Sequence, residues 1–348
     1  MAERRFTIAD VARRAGVSKG AVSFALNGRP GVSDETRARI LAAAAELGWV
    51  PNRQARALST ARASALGLVL ARAPELLGAD PFFPAFIAGV EKVLAARDQA
   101  LVLQVVTTPE AEREGYRRLA RDRRVDGVFV VDLRRDDERI ALLEEIGLPA
   151  VTLNRPDVPS PFPAVVLDDR PGIAAAVRHL VDQGHTKIAH VAGPEPYLHA
   201  AARRQAFTDA MGEAGLDGRV VDGDFTAAGG RDATRRLLTG PDRPTAIVFA
   251  NDVMALSAIA VAAELGLRIP DDVSITGFDD TDLAGYVHPA LTTVRADAGG
   301  WGEVAARTLL ALIDGPEDAD VTDTALPPAE LVLRNSTAPT PPTPQETQ

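Results

Sequence analysis

The chain has 348 residues, 46% of them hydrophobic, enough for a small domain plus a larger two-lobed one, and a formal net charge of −10. It contains no cysteine, which excludes disulfides, thiolate metal sites and cysteine nucleophiles together. The first residues, MAERRFTIADV, lack the apolar core of an export signal, and no stretch has the unbroken apolarity of a membrane span, so a cytoplasmic protein without membrane contact is expected.

Thr7 to Asn27, TIADVARRAGVSKGAVSFALN, reads as two short amphipathic helices joined by a tight turn. Thr7 with Asp10 forms a capping-box-like start, Gly16 can take the left-handed conformation that ends the first helix, and Ser18 caps the second. Val22 and Leu26 point inward. At ~100° per residue the opposite face carries Gly20, Ser23, Phe24 and Asn27, with Lys19 at the helix entrance. Any αα-hairpin would have this pattern, but a third helix follows, capped at Ser33 and running through Thr36, Ile40, Leu41, Ala44 and Leu47 to Gly48. It supplies the third wall of a small core, and the pair then reads as a helix-turn-helix.

Charge divides unevenly. Residues 1–62 hold 11 Lys/Arg against 5 Asp/Glu, net +6, and the remainder is net −16. A basic head on an acidic body fits nucleic acid meeting the head while the body repels the phosphate backbone. The plain alternative is a chance cluster of solvated arginines.

Beyond Thr60 the texture changes to βα units. ALGLVL (65–70), ALVLQVV (100–106), GVFVV (127–131), PAVTL (149–153) and AVVLD (164–168) are short apolar runs suited to buried parallel strands. Phe86 to Arg97, Glu110 to Asp122 and Asp136 to Ile146 have the period of crossover helices. The second half repeats the scheme, with KIAHVAG, RVVDG, TAIVFA and VSITGF as strands and helices near 171–183, 200–214, 228–239 and 252–265. Two doubly wound lobes follow. The last residues, 336–348, are rich in Pro and Thr and read as a disordered tail.

Catalytic motifs are missing. There is no GxGxxG after a strand, no GxxxxGK[ST] loop, no GxSxG elbow and no HExxH. His179, His185, His190, His199 and His288 have no tight ligand spacing and read as structural or solvated residues, and Asp279-Asp280 would point apart at a strand end. No catalytic residue, metal or cofactor is expected.

TIADVARRAGVS, the AVS of the second helix, LNG followed by VS and TR, and the WVPN after the third helix resemble the DNA-binding headpiece and hinge of the LacI/GalR family of transcriptional regulators. The likeness continues in HLVDQGHTKIAHVAGP (His179 to Pro194), FANDVMALSAI (Phe249 to Ile259) and the run from Ile269 to Thr293. It implies a three-helix headpiece (1–50), a hinge helix (51–62) and an α/β core (63–335) of two periplasmic-binding-protein-like, parallel-sheet lobes. The lobes would comprise about 63–165 with 293–325, and 166–292 with 326–335, the chain crossing near Val165, Thr293 and Ala325.

The function so implied is a homodimeric regulator, usually a repressor, that binds a palindromic operator in double-stranded DNA and is controlled by a small hydroxyl-rich effector, a sugar or sugar derivative, in the cleft. Thr7, Ser18, Ser33, Thr36, Asn52, Arg53 and Arg56 are expected at the DNA with the second-helix face, and Leu58 as a wedge in a minor-groove base step. Arg53 to Ser59 is too short for a stable isolated helix and is expected to fold only on DNA. The effector positions implied are Asp80, Asn154, Arg203, Asn251 and Asp279, with Phe225 as an aromatic plate. As plain structural residues, Asn251 would cap the helix after its strand and Asp279 a turn.

The chain also departs from the family. Asn154 stands where many relatives carry Asp, Ala206 where a Gly usually precedes Phe207, and Ala21 and Phe24 where many carry Thr and Arg. A solute-binding protein would share the core but have no use for the head, and a sugar-processing enzyme would need a catalytic pair.

Overall fold

The computed structural model describes residues 6–26, 30–49, 62–72, 78, 80–316 and 322–340. They fall into two units, Met1–Ala63 and Ser64–Gln348. In the first, α1 (Ile8–Ala15), α2 (Lys19–Leu26) and α3 (Asp34–Glu46) start and stop where local chemistry dictates. The Asp10 carboxylate accepts from the Thr7 N–H at 3.0 Å and from its hydroxyl at 2.8 Å. Gly16 takes φ +66° and reverses the chain, after which the Ser18 hydroxyl accepts from the Ala21 N–H at 3.1 Å. Val11, Ala15, Val22, Ala25, Ile40 and Ala44 form the core, with Leu26 only partly buried.

Because half of these side chains are alanines, apolar burial is modest and the polar pins matter. Arg39 Nε donates to Ala15 O at 3.1 Å and Arg37 Nη1 to Ala25 O at 3.0 Å, placing cations at the carbonyl ends of α1 and α2.

The second unit is two parallel sheets. The first contains β1 (Ala65–Ala71), β2 (Ala100–Val106), β3 (Gly127–Val130), β4 (Ala150–Leu153), β5 (Ala164–Val166) and β11 (Thr324–Ala325), in the order β11-β5-β4-β3-β1-β2. It is flanked by α4 (Phe82–Ala95), α5 (Pro109–Arg121), α6 (Glu138–Glu145) and α11 (Ala298–Asp314). The second contains β6 (Ile188–Ala192), β7 (Arg219–Asp222), β8 (Ala246–Phe249), β9 (Ser274–Asp279), β10 (Thr292–Arg295) and β12 (Glu330–Val332), in the order β12-β10-β9-β8-β6-β7. Its helices are α7 (Arg170–Asp182), α8 (Leu198–Glu213), α9 (Ala227–Thr239) and α10 (Asp252–Glu264). Among the described strands only β12 runs antiparallel.

The central strands β3, β4 and β8 are buried along their whole length, as expected of runs covered on both faces. In both sheets the order reverses beside the first strand, between β1 and β3 and between β6 and β8. That is where open α/β sheets leave a crevice at the carboxyl ends.

Three expectations are corrected. The middle crossing lies beyond Arg295, because Thr292–Arg295 is a strand of the second sheet, paired with Thr276–Asp279. Helix α4 starts at Phe82, four residues early, because the Asp80 carboxylate accepts the Phe82 N–H at 3.1 Å. The beginning of the expected tail, residues 336–340, is built into the second lobe.

Ser336 is fully buried, its hydroxyl donating to Ile275 O at 2.7 Å and accepting from the Thr292 N–H at 2.8 Å. His185 bridges Thr245 Oγ1 at 2.9 Å and Ala338 O at 3.0 Å. Polar composition misled here because these hydroxyls and carbonyls complete the β9 and β10 ladders. Residues 341–348 and 51–61 of the expected hinge lie outside the described residues.

Ser336→Ala leaves a buried carbonyl and a buried amide without partners, and is expected to destabilise the core by about 1–3 kcal/mol. Urea unfolding of parent and variant measures it.

Candidate DNA-binding face and ligand cleft

On α2 the face opposite Val22 presents Lys19, Gly20 and Phe24 to solvent, with Ser23 half-buried. Thr7, Ser18 and Ser33 are exposed and Thr36 is half-buried, its hydroxyl accepting from Ser33 at 2.9 Å. Phe24 is 41% exposed, and one edge of its ring lies over Gly31, whose added Cβ would sit 3.5 Å from Phe24 Cδ2. It is outside the headpiece core, and its other edge is free to meet a ligand. Asn27, Asn52, Arg53, Arg56 and Leu58 lie outside the described residues.

The second unit carries a cleft at the strand ends, between its two sheets. The space between its walls, mouth included, is ≈ 670 Å³. Arg72, just past β1, and Asp132, just past β3, face each other across the first lobe's order reversal. Arg72 Nε and Nη2 donate to the two Asp132 oxygens at 2.7 and 2.9 Å, and Nη1 reaches Asp80 at 3.3 Å. The same guanidinium lies 5.1 Å from the Phe83 and Tyr197 ring centres and 5.9 Å from that of Phe225.

Burial raises Asp132, but the Arg72 charge and hydrogen bonds more than offset it and hold the carboxyl below its ordinary range. For Asp80 burial wins, and its pKa is raised despite Arg72.

From the second lobe, Arg203 on α8 donates through Nε to Asp169 at 2.7 Å and through Nη1 to Ala250 O at 2.7 Å, with its plane over the Phe278 ring at 3.6 Å. Its Nη2 makes no hydrogen bond among the described residues. Asp279 also lines the cleft, and its carboxyl has no hydrogen-bond partner among the described residues. Burial raises its pKa well above the ordinary value; Arg203 lowers it, and Asp252, Asp80 and Asp169 oppose Arg203. One free donor edge and one free acceptor thus share the chamber.

Phe225 belongs to an aromatic stack. Tyr197, His199 and Phe225 lie nearly parallel, with centroid spacings of 5.6 and 5.5 Å. Burial pushes His199 down to about 3, so the imidazole is neutral at physiological pH. Phe225 is held at φ +66°, and its carbonyl accepts from Asn251 Nδ2 at 3.0 Å. A Cβ at Gly193 would sit 2.1 Å from Phe225 Cζ, so only glycine there leaves the ring its place.

Asn251 also caps α10, its Oδ1 accepting from the Met254 N–H at 3.0 Å, and so positions Phe225 while lining the cleft. Asn154 has φ +69° and its Oδ1 accepts from the Leu167 N–H at 2.8 Å, which ties β4 to β5 at the rim.

All six sequence-expected effector positions line this one space. Sequence reasoning missed Arg72, Asp132, Asp169, His199 and Trp301. Arg72 and Asp132 lie within two residues of the ends of predicted strands, so the strand-end rule alone could have found them. Nothing in the sequence pattern marked His199 or Trp301.

Residues 7–52 match the family model for bacterial regulatory proteins of the lacI family, and 177–337 match that for the periplasmic binding protein-like domain. The chain is 36% identical over 318 residues to the HTH-type transcriptional regulator CelR of Thermobifida fusca, covering 90% of this chain and 93% of CelR. The chain belongs to the LacI family.

Among solved structures, a CelR–cellobiose complex aligns at 35% identity with a TM-score of 0.72, covering 95% of this chain and 100% of that one. The Lac repressor dimer bound to operator and the anti-inducer ONPF aligns at 29% identity with a TM-score of 0.84, covering 96% and 100%. This LacI-family chain is accordingly a DNA-binding transcriptional regulator and not an enzyme.

The exposed Phe24 edge generates a test. A phenyl ring in a major groove covers the thymine 5-methyl. Phe24→Ala is expected to abolish a thymine preference at one fixed position of the bound DNA, an effect of about 1 kcal/mol for the one methyl uncovered. Selection from random operators with parent and variant reads it. Identical base preferences, with lowered headpiece stability, would assign Phe24 to packing on the turn at Gly31.

Proposed function

We propose that the protein is a repressor that binds a two-fold symmetric operator as a homodimer in the cytoplasm, and that a sugar in the cleft sets its affinity for DNA. The observation that carries the effector half is that Arg203 Nη2 and the Asp279 carboxyl, which have no hydrogen-bond partner among the described residues, line one space with the Phe225–His199 stack. A donor edge and an acceptor lining one chamber can hold hydroxyls of one ligand, while an aromatic plate takes the C–H face of a sugar ring. The existence of a relative solved with cellobiose supports the sugar class.

The DNA half rests on the headpiece face and on the net +6 of residues 1–62. A lone three-helix head offers few base contacts, and a second copy doubles them. Strand β2 favours such a copy: it is a sheet edge, its residues are only half-covered and Leu103 is 39% exposed. The Lac repressor, a relative, is solved as an operator-bound dimer. Among the described residues no helix is long and apolar enough to cross a membrane.

Binding of the full-length protein to its own promoter DNA, at stated salt and with a sugar panel, tests the reading. Affinity is expected to fall by about 10³-fold or more between about 50 and about 200 mM salt, and one sugar is expected to change it. Salt-independent binding, or no response to any sugar, would refute the corresponding half.

The raised Asp279 adds a pH signature. Ligand hydroxyls donate to the ionised carboxylate, so binding lowers its pKa and releases a proton; sugar affinity therefore rises with pH through the elevated Asp279 range and levels off above it. In Asp279→Asn the slope is expected to vanish. Titration calorimetry in buffers of different ionisation heat measures both proton release and slope.

A further inference from the structure

Beyond the inner chamber the cleft continues. Past Phe82, Asp169, Arg203, Asp279 and Trp301 it opens into a second space of ≈ 1700 Å³, in contact with solvent. We propose that the effector is an uncharged glycoside of at least two rings, one in each chamber, with Arg203 and Asp279 at the junction. This deepens the sugar-regulated reading and rests on it.

The length follows from the shape and the walls. At its deep end the inner chamber is filled by the Arg72 guanidinium packed among Phe83, Tyr197 and Phe225, so free space runs outward, past the junction. The outer chamber offers the two surfaces a sugar ring needs. One is apolar: Val253 and Leu256 from α10 and Leu283, which is 63% exposed in the mouth of a polar cleft. The other is a pair of acceptors, Asp282 and Asp297. At the junction, Trp301 is fixed by its Nε1 donating to Val165 O at 2.9 Å, with the Phe82 ring edge-on at 5.9 Å. It forms a rigid aromatic sill between the two rings.

Neutrality follows from the charges. Among the described residues the cations lining the two chambers are Arg72, Arg203 and Arg295, and each already holds a carboxylate: Asp132 with Asp80, Asp169, and Asp280 respectively. The inner chamber alone sets four carboxyls, Asp80, Asp132, Asp169 and Asp279, against two guanidiniums. A phosphate or carboxylate on the ligand would have to displace a buried partner from its guanidinium and sit beside the remaining acids. A hydroxyl needs only the vacant edge of Arg203 and the vacant oxygens of Asp279.

Titration calorimetry of the full-length protein with glucose, galactose, maltose, cellobiose, trehalose, maltotriose, glucose 6-phosphate and trehalose 6-phosphate tests the proposal. At least one neutral di- or trisaccharide is expected to bind about tenfold or more tighter than every monosaccharide and every phosphate. Leu283→Ser and Leu256→Trp, which remove or fill the outer apolar wall, are expected to cut the oligosaccharide-to-monosaccharide affinity ratio about tenfold. A monosaccharide or a phosphorylated sugar as the tightest ligand, or an unchanged ratio in both variants, overturns the two-chamber proposal while leaving the sugar reading intact. No heat from any member of the panel overturns the sugar reading itself.

Discussion

Everything in the ligand-binding unit turns on a buried guanidinium. Arg72 leaves the end of β1 in the first lobe, is tied by two hydrogen bonds to Asp132 and by a third to Asp80, and lies against Tyr197 and Phe225 of the second lobe. A buried charge is stable only when its donors are satisfied, and the remaining face of this one is covered by aromatic rings. Around it the lobes also meet through backbone: the Leu198 N–H donates to Leu133 O at 2.9 Å and the Arg135 N–H to Pro196 O at 3.2 Å. Lobe spacing and ligand chamber are therefore set by the same contacts. A ligand that strains or relieves them changes the equilibrium between lobe arrangements, which is what a regulator needs from its core.

The cleft concentrates backbone strain as well as charge. Asp132, Asn154, Phe225 and Asp279 all take positive φ at strand ends or in the loops beyond them. Such conformations cost of order 1–3 kcal/mol each and persist only where neighbours impose them. Here the neighbours are identifiable: the Asn251 side chain holds the Phe225 carbonyl, and Asn154 reaches the Leu167 amide. Asn251 thus joins helix capping to placement of the aromatic plate, and the structural and functional readings of this residue turn out to be compatible.

The headpiece follows a different economy. Its core is mostly alanine and valine, so much of its definition comes from caps and from guanidiniums laid on helix-terminal carbonyls. Small side chains keep the helices close and leave the α2 face clear. Phe24 stands apart from that pattern, a large and partly exposed apolar ring on a face that otherwise carries lysine, glycine and serine.

The sequence by itself determined the element types and the two-part organisation, because helix period and strand runs are local properties of the chain; the six expected effector positions came from the family resemblance, and the fold brings them around one space. It misjudged what depends on distant partners. Ser336 to Thr340 looked like a polar tail because its partners, Ile275, Thr292 and Gln183, are far away in the chain. The middle crossing was placed early because nothing in Thr292–Arg295 reveals which sheet it joins. His199 read as a structural or solvated residue, and only its burial beside the nearly parallel rings of Tyr197 and Phe225 made it a neutral wall of the cleft. Tertiary structure alone decided that Arg72 and Arg203 are already paired while Asp279 and one edge of Arg203 are not, because a side chain's spare hydrogen-bonding capacity depends on which neighbours the fold brings to it.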